Sequence, residues 1–375
     1  MNHWIDSPEL LEAHFASWSG HKTVALDTEF VREKTYYPQL ALVQLGVPDE
    51  ILLIDPLVPG IAEILKPWLL NPDICKIIHS PSEDLQAFSR GIGAVPVNIF
   101  DTQSAAALCG MGAGLGYQKL IEAVTGIVLE KGETRSDWLK RPLTDSQCRY
   151  AADDVLYLHD VYALLSEKLI ALNRLQWLQA DGERAVRNAN NDIDDPFPHL
   201  SLSRAQGLDH KAQALLCRLL RWRDTKARIS DRPKSWILDN ELAAFLARSI
   251  PEQYNAFTAI LDRSPKAPRK FRTDLWEEVT RPLTDAELDI PPIKNVDTID
   301  KHKLRAMQEA VAKQAAALNI PEGLLASRKH LEVLLEGHWP TALEGWRREQ
   351  LEPVLAPLMP VWERCKARMT LRHNQ

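Results

Sequence analysis

The sequence predicts an α/β domain followed by an all-helical remainder, and three observations carry that reading. Short β-rich runs alternate with helical stretches between Thr23 and Cys109, which is the pattern of a sheet covered by helices. Strand signals stop beyond Tyr117, and long amphipathic stretches fill the rest of the chain. The length of 375 residues exceeds what one ordinary core serves, so two or three domains are expected.

The run Thr23–Phe30 (T-V-A-L-D-T-E-F) predicts a first strand. Leu40–Gly46 and Ile51–Asp55, separated by a turn at Pro48-Asp49-Glu50, predict two more, the three forming a meander. A helix near 61–70 comes next, then a short buried strand at Lys76–His79, a helix at Ser82–Arg90, a strand at Asn98–Asp101 and an Ala-rich helix over 102–109. Further helical stretches fall near 145–178, 208–228, 239–248, 251–261, 301–316 and 327–336. The polar, Pro-containing stretch Asn188–Ser203 reads as a linker, and Leu288–Pro292 as a second break. The stretches Pro233–Leu242 and Pro321–Leu331 share a proline, large apolar residues, a polar cap and a helix start, which suggests a duplicated helical module.

The net charge of -6 divides unevenly. Residues 1–200 carry 16 Lys/Arg against 28 Asp/Glu, residues 201–280 carry 15 against 10, and residues 281–375 carry 14 against 13. An acidic first part suits carboxylates gathered around divalent cations, and a basic middle part suits a polyanion; ordinary surface variation is the competing reading. No run of about 18 apolar residues is present, and Met1–Asp6 has no basic region followed by an apolar core, so a cytoplasmic protein without a membrane span is expected. Cys75, Cys109, Cys148, Cys217 and Cys365 stand singly, with no C-x-x-C pair, and are expected to be free thiols.

Asp27 and Glu29 occupy alternate positions of a strand, so both side chains face one side and can share a cation. Asp84 opens a helix after a buried strand, where capping and ligation are both available to it. Tyr150 and Asp154 lie four apart on a helix signalled by Pro142-Leu143-Thr144-Asp145, so they share a face while Asp153 points elsewhere. Taken separately, each motif also fits an ordinary exposed or capping residue.

In their order and spacing, D-x-E, the Asp after His79-Ser80-Pro81-Ser82-Glu83, and Y-x-x-x-D resemble the three motifs of the DEDD exonuclease superfamily, tyrosine subgroup. Flanking stretches resemble ribonuclease D: Asp27-Thr28-Glu29-Phe30, Gln39–Gln44, Gly116–Leu120 and Ser136–Leu143. The resemblance implies a ribonuclease H-like exonuclease domain over residues 1–190. It further implies that Asp27, Glu29, Asp84 and Asp154 ligate two divalent cations, Mg²⁺ or Mn²⁺, and that Tyr150 orients the attacking water. RNA would then be shortened from a single-stranded 3′ end, tRNA precursors being the expected substrate, by a chain acting as a monomer. A 3′-5′ exonuclease acting on single-stranded DNA and an inactive RNA-binding adaptor are the alternatives.

After a linker at 191–207, residues 208–290 resemble an HRDC module, carried by Leu219–Asp224 and Pro233–Leu238, and 291–375 would be a diverged second copy. Arg221, Arg223, Lys226 and Arg228, with Arg232 and Lys234, bunch within fourteen residues and are candidates to grip RNA backbone, against the reading of a solvated helix face. Trp138 and Arg141 are candidates to stack on a base and hold a phosphate, with core packing the competing reading for Trp138. His79 is expected to be a buried structural histidine, and His159 carries no signal. Gly112–Tyr117 lacks the glycine spacing of a dinucleotide cradle and is expected to be a loop before a helix. The identical Arg-Pro-Leu-Thr-Asp at 141–145 and 281–285 is attributed to local helix capping.

Overall fold

The computed structural model describes residues 2–129, 132–133, 136–191, 195–202, 205–263, 269–293 and 300–359. Cys365 lies outside them; the other four cysteines are free thiols. The chain forms two compact units, one of residues 1–31, 39–191 and 300–375, the other of residues 32–38 and 192–299.

The first unit is built on a six-stranded mixed sheet: β1 (Asn2–Ile5), β2 (Thr23–Val31), β3 (Gln39–Val47), β4 (Glu50–Ile54), β5 (Cys75–Ile78) and β6 (Ile99–Asp101). Their spatial order is β1-β4-β3-β2-β5-β6. β2, β3 and β4 pair antiparallel, as the meander reading expects, while β1, β5 and β6 add in parallel at the flanks. β1 is not among the strands the sequence predicts: Asn2-His3-Trp4-Ile5 opens on two polar residues and lacks the apolar run that marks the equally short β5.

Helices α1 (Pro8–Ser17), α2 (Ile61–Leu69), α3 (Ser82–Gly91), α4 (Thr102–Leu108), α5 (Tyr117–Thr125), α6 (Asp145–Leu156), α7 (Leu158–Ala171) and α8 (Leu175–Asn190) belong to this unit. The single stretch expected over 145–178 is thus three helices. Register assigns the faces of β2. Leu26 stands opposite Leu45 and Thr28 opposite Val43, on the side that buries Leu85 and Phe88 of α3. Asp27 stands opposite Gln44 and Glu29 opposite Leu42, so they point to the other side. Burying each such Leu or Phe contributes about 1.5–3 kcal/mol.

The second unit is helical: α9 (His210–Ser230), α10 (Lys234–Ile237), α11 (Asn240–Arg248), α12 (Tyr254–Leu261), α13 (Arg272–Thr280) and α14 (Asp285–Leu288). Its core gathers Leu216, Leu219, Leu220, Ile237, Leu246, Phe257 and Val279. Buried Arg218 ties it together, with a two-pronged pair to Glu287 at 2.7 Å each and bonds to the carbonyls of Glu278, Arg281 and Pro282.

The chain then returns to the first unit through α15 (Lys301–Leu318), α16 (Glu322–Leu325), α17 (Arg328–Leu335) and α18 (Trp346–Leu355). Arg347 grips Asp181 of α8 with two bonds of 2.6 and 2.8 Å, and Trp346 stacks on Trp177 at 4.5 Å. α9–α11 and α15–α17 repeat one backbone succession 88 positions apart. Each long helix ends in a left-handed cap (Asp231, Asn319), a proline precedes a one-turn helix (Pro233, Pro321), and a side chain caps the next helix (Asp239, Ser327). Thr144 and Thr284, within the two Arg-Pro-Leu-Thr-Asp stretches, each close a capping box, with Gln147 and Glu287. No described helix is long and apolar enough to cross a membrane.

Candidate active site

The β2–β5 pairing ends at Ala25 opposite Ile77, so the stretch of β2 that carries the acidic residues has no β5 neighbour. After β5 the chain turns at Ser80, with positive φ, and enters α3 at Pro81. This delivers Asp84 to the unpaired part of β2. Asp84 is buried in the first turn of α3, and its Oδ1 accepts the Thr28 hydroxyl at 2.5 Å. The carboxylate also accepts a backbone N–H in the first turn of α3, its own, so a capping-type contact and the bond to Thr28 coexist.

On the opposite face α6 packs across β2, β3 and β4. Its capping box fixes where the helix begins, and thereby the angular position of Tyr150 and Asp154. Ligand oxygens of Asp27, Glu29 and Asp154 lie within 4.8 Å of one another. The Tyr150 hydroxyl donates to Asp154, while Asp153 is exposed, as the helical period requires.

Crowding acid groups out of water penalises their charged forms. Burial pushes Asp27 well up, and the charges of Asp84, Asp154 and Glu29 push it further. Glu29 rises to about 9, first from burial and then from Asp154 and Asp84. Asp154 rises to about 7 and Asp84 to about 6, burial being the largest cause in both. Tyr150 is also pushed up, by burial and then by Asp154, Glu29 and Asp27, so its hydroxyl keeps its proton at neutral pH. Four carboxylates held in this way favour a positive counter-charge, and an all-oxygen donor set fits hard divalent cations.

A cleft of about 610 Å³ opens beside the cluster, lined by Gly116, Tyr117, Lys119, Gly132, Tyr150 and Asp154 among others. Gly132 lies directly on the Tyr150 ring: a Cβ there would fall 2.3 Å from Cδ2. Tyr117 donates its hydroxyl to the Asp153 carbonyl at 2.7 Å and stands edge-on to His79 at 5.7 Å.

The 3′-5′ exonuclease family matches residues 2–170. Ribonuclease D from Xanthomonas oryzae pv. oryzae is 49% identical over 364 residues, spanning 97% of this chain and all of that one. The chain belongs to the ribonuclease D family. Ribonuclease D from Escherichia coli is 34% identical over 352 residues, 90% of this chain and 92% of that one. The crystal structure of the E. coli protein, described as an exoribonuclease involved in structured RNA processing, superposes with a TM-score of 0.83 at 30% identity, covering 96% and 98% of the two chains. As a member of the ribonuclease D family the chain is a nuclease, with an α/β exonuclease fold followed by helical modules.

Thr28 and Tyr117 escaped the site reading although both lie in stretches that resemble ribonuclease D. So did Gln44, which stands opposite Asp27, is fully buried, and has no partner for its amide among the described residues. The alternation of β3 places it on the Asp27 face, a signal that needs the register to be read.

Two candidate RNA contacts are corrected. Trp138 is 2% exposed and packs beside Tyr150 at 6.1 Å, so it offers no face to a base. Arg141 spends its guanidinium on Asp55 (2.6 and 2.7 Å), on the carbonyls of Ala41 and Trp138, and over the Trp4 ring, leaving no fork for a phosphate. In the second unit Arg223 is buried and bonded to Asn240 at 2.6 Å, and Lys226 is paired with Asp274 at 2.6 Å, so both are engaged within the fold. Arg221 is exposed, and Arg228 lies over the Tyr36 ring. His79 is half-buried, not fully buried as expected, and stands 2.9 Å from the Thr102 hydroxyl with its basicity lowered by desolvation, and His159 bonds the Gly46 carbonyl at 2.9 Å. Residues 112–116 form the loop ahead of α5.

Proposed function

We propose that this chain removes nucleotides one at a time from the 3′ end of RNA, releasing 5′-monophosphates, and that its substrates are structured RNAs with single-stranded 3′ tails such as tRNA precursors. The observation that carries the reading is the convergence of Asp27, Glu29, Asp84, Asp154 and Tyr150 beside an open cleft. The description of the E. coli relative as acting in structured RNA processing supports the substrate class.

Asp27, Glu29, Asp84 and Asp154 would hold two divalent cations, Mg²⁺ or Mn²⁺, which when bound supply a nucleophile at neutral pH and stabilise charge on the leaving 3′ oxygen. Thr28 keeps Asp84 oriented for ligation. Tyr150 stays protonated and anchored on Asp154, so it orients the attacking water and does not act as its base. The terminal nucleotide would enter the cleft that Tyr117 and the packed pair Gly132 and Tyr150 line.

Residues 1–190 would be the exonuclease domain, 191–207 a linker, and 208–290 and 291–375 two HRDC-type modules, the duplicated backbone succession favouring common origin. Arg221 would grip RNA backbone, Arg228 being engaged at the Tyr36 ring, and the enzyme would work as a cytoplasmic monomer. The test uses a 3′-tailed RNA labelled at its 5′ end, with Mg²⁺ or chelator, in the native chain and in Asp27→Ala. A ladder shortening from the 3′ end, lost on chelation and in the variant, is expected. Intact RNA that only shifts on a native gel would replace the enzyme reading with an RNA-binding adaptor, and preferential trimming of an all-deoxy oligomer would redirect it to DNA.

A further inference from the structure

We propose a second cation site, separate from the catalytic cluster, in which His3, His14 and Glu50 bind a borderline divalent transition metal of the Zn²⁺ class. The three side chains come from three elements, β1, α1 and the start of β4, and their ligand atoms lie within 4.8 Å of one another. His3 Nε2 stands 3.3 Å and His14 Nδ1 3.0 Å from the same oxygen, Glu50 Oε1. Tetrahedral ligands at about 2.0–2.1 Å from a cation stand roughly 3.3 Å apart, so both separations already approximate edges of such a site.

The other carboxylate oxygen is fixed from behind. Trp18 donates its indole N–H to Glu50 Oε2 at 2.6 Å, which aims Oε1 at the two imidazoles as an outer partner aims a metal ligand. The imidazole side chains are 34% and 15% exposed and the carboxylate 24%, enough for entry and for solvent in a fourth position. Two nitrogens and one oxygen select a softer ion than the all-oxygen cluster of Asp27, Glu29 and Asp154. The sites are also apart on the sheet, since Glu50 pairs with Val47 at the β3–β4 turn whereas Asp27 and Glu29 pair with Gln44 and Leu42. The cation's role is a structural tie, joining the first strand and first helix to the β4 end of the sheet.

The experiment uses the full chain carrying Asp27→Asn and Asp154→Asn, stripped of metal and titrated with Zn²⁺ by calorimetry. One equivalent is expected to bind, undisturbed by excess Mg²⁺ and accompanied by a rise in Tm. His14→Gln or His3→Gln, which keep a hydrogen bond to Glu50 within reach but remove the imidazole, should weaken binding at least tenfold and abolish the Tm rise. His14→Gln in the otherwise native chain should trim RNA with Mg²⁺ as before, showing that it folds. Absence of Zn²⁺ binding in the doubly substituted chain, or one equivalent retained in both glutamine variants, would overturn the site and leave a hydrogen-bonded histidine pair.

Discussion

The Thr28 hydroxyl donates to Asp84 Oδ1 at 2.5 Å, joining the strand that presents Asp27 and Glu29 to the helix that supplies the fourth carboxylate. Thr28 faces away from its two acidic neighbours, yet it is the residue that sets where the Asp84 oxygens point. Groups in this outer position typically change metal affinity 10- to 100-fold. Thr28→Val should therefore raise the Mg²⁺ concentration needed for half-maximal activity by about that factor, with a smaller loss of rate at saturating Mg²⁺. Thr28→Ser should restore it. An unchanged Mg²⁺ requirement in the valine variant would remove Thr28 from this role.

Tyr150 differs from the carboxylates, because its phenol stays protonated and its bond to Asp154 is charge-assisted. Hydrogen bonds to charged groups contribute about 1.5–3 kcal/mol, equivalent to roughly 10- to 150-fold. Tyr150→Phe should lower kcat by that range while Mg²⁺ binding, measured by calorimetry, stays close to native. If Mg²⁺ affinity fell as far as kcat, the hydroxyl would be supporting ligation and not the water.

Asp27 is the carboxylate most burdened by its surroundings, with burial and three like charges acting against its ionised form. Asp27→Asn removes the ionisable group on which those charges act, at nearly constant shape. The metal-free variant should melt above the metal-free native chain at pH 8, while RNA trimming falls about a thousandfold, since the charge stabilisation lost is worth several kcal/mol. A metal-free variant less stable than the native chain would mean that Asp27 is needed for packing.

The candidate site was legible wherever a local period decides geometry. Alternation along β2 put Asp27 and Glu29 together, and the helical repeat put Tyr150 over Asp154 and sent Asp153 outward. Asp84 was legible only through its resemblance, because a carboxylate in a helix's first turn reads as a cap, and its partner Thr28 lies 56 positions earlier. Trp138 and Arg141 misled for the same reason: nothing near Arg141 in sequence announces Asp55, 86 positions away, and an aromatic residue beside a motif can lie beneath the site as readily as on it. Arg223 and Lys226 were a charge cluster in one dimension and are engaged by Asn240, Asp224 and Asp274 in three.

Arg141→Ala tests that correction. Asp55, itself buried, would keep a charge without its two-pronged partner, and breaking a pair of this kind by removing one member costs about 3–5 kcal/mol. Chemical denaturation should show a loss of that order, and the salt dependence of RNA binding by the folded fraction should not change. A reduced salt slope with native stability would return Arg141 to the phosphate-binding role.

The acidic cluster also makes stability depend on pH. Glu29, Asp154 and Asp84 sit at about 9, 7 and 6 in the folded chain against ordinary values of 4.5, 3.8 and 3.8. Between those limits the metal-free folded state holds more protons than the unfolded one, so stability is greatest below the ordinary values and is lost as pH rises toward 9. Divalent cations compete with the same protons, so their stabilisation must run the opposite way and grow with pH. Melting curves from pH 6 to 9, with chelator and with Mg²⁺, should show a Tm difference that widens steadily across the range. Histidines whose basicity burial lowers, His79 and His159 among them, add their own pH dependence, so the decisive comparison is with the chain carrying Asp27→Asn and Asp154→Asn, in which the widening should vanish while the histidine contribution remains. A Tm difference that is flat in the native chain would show that the carboxylates are already ionised without metal, and the cluster would then be stabilised by something other than bound cations.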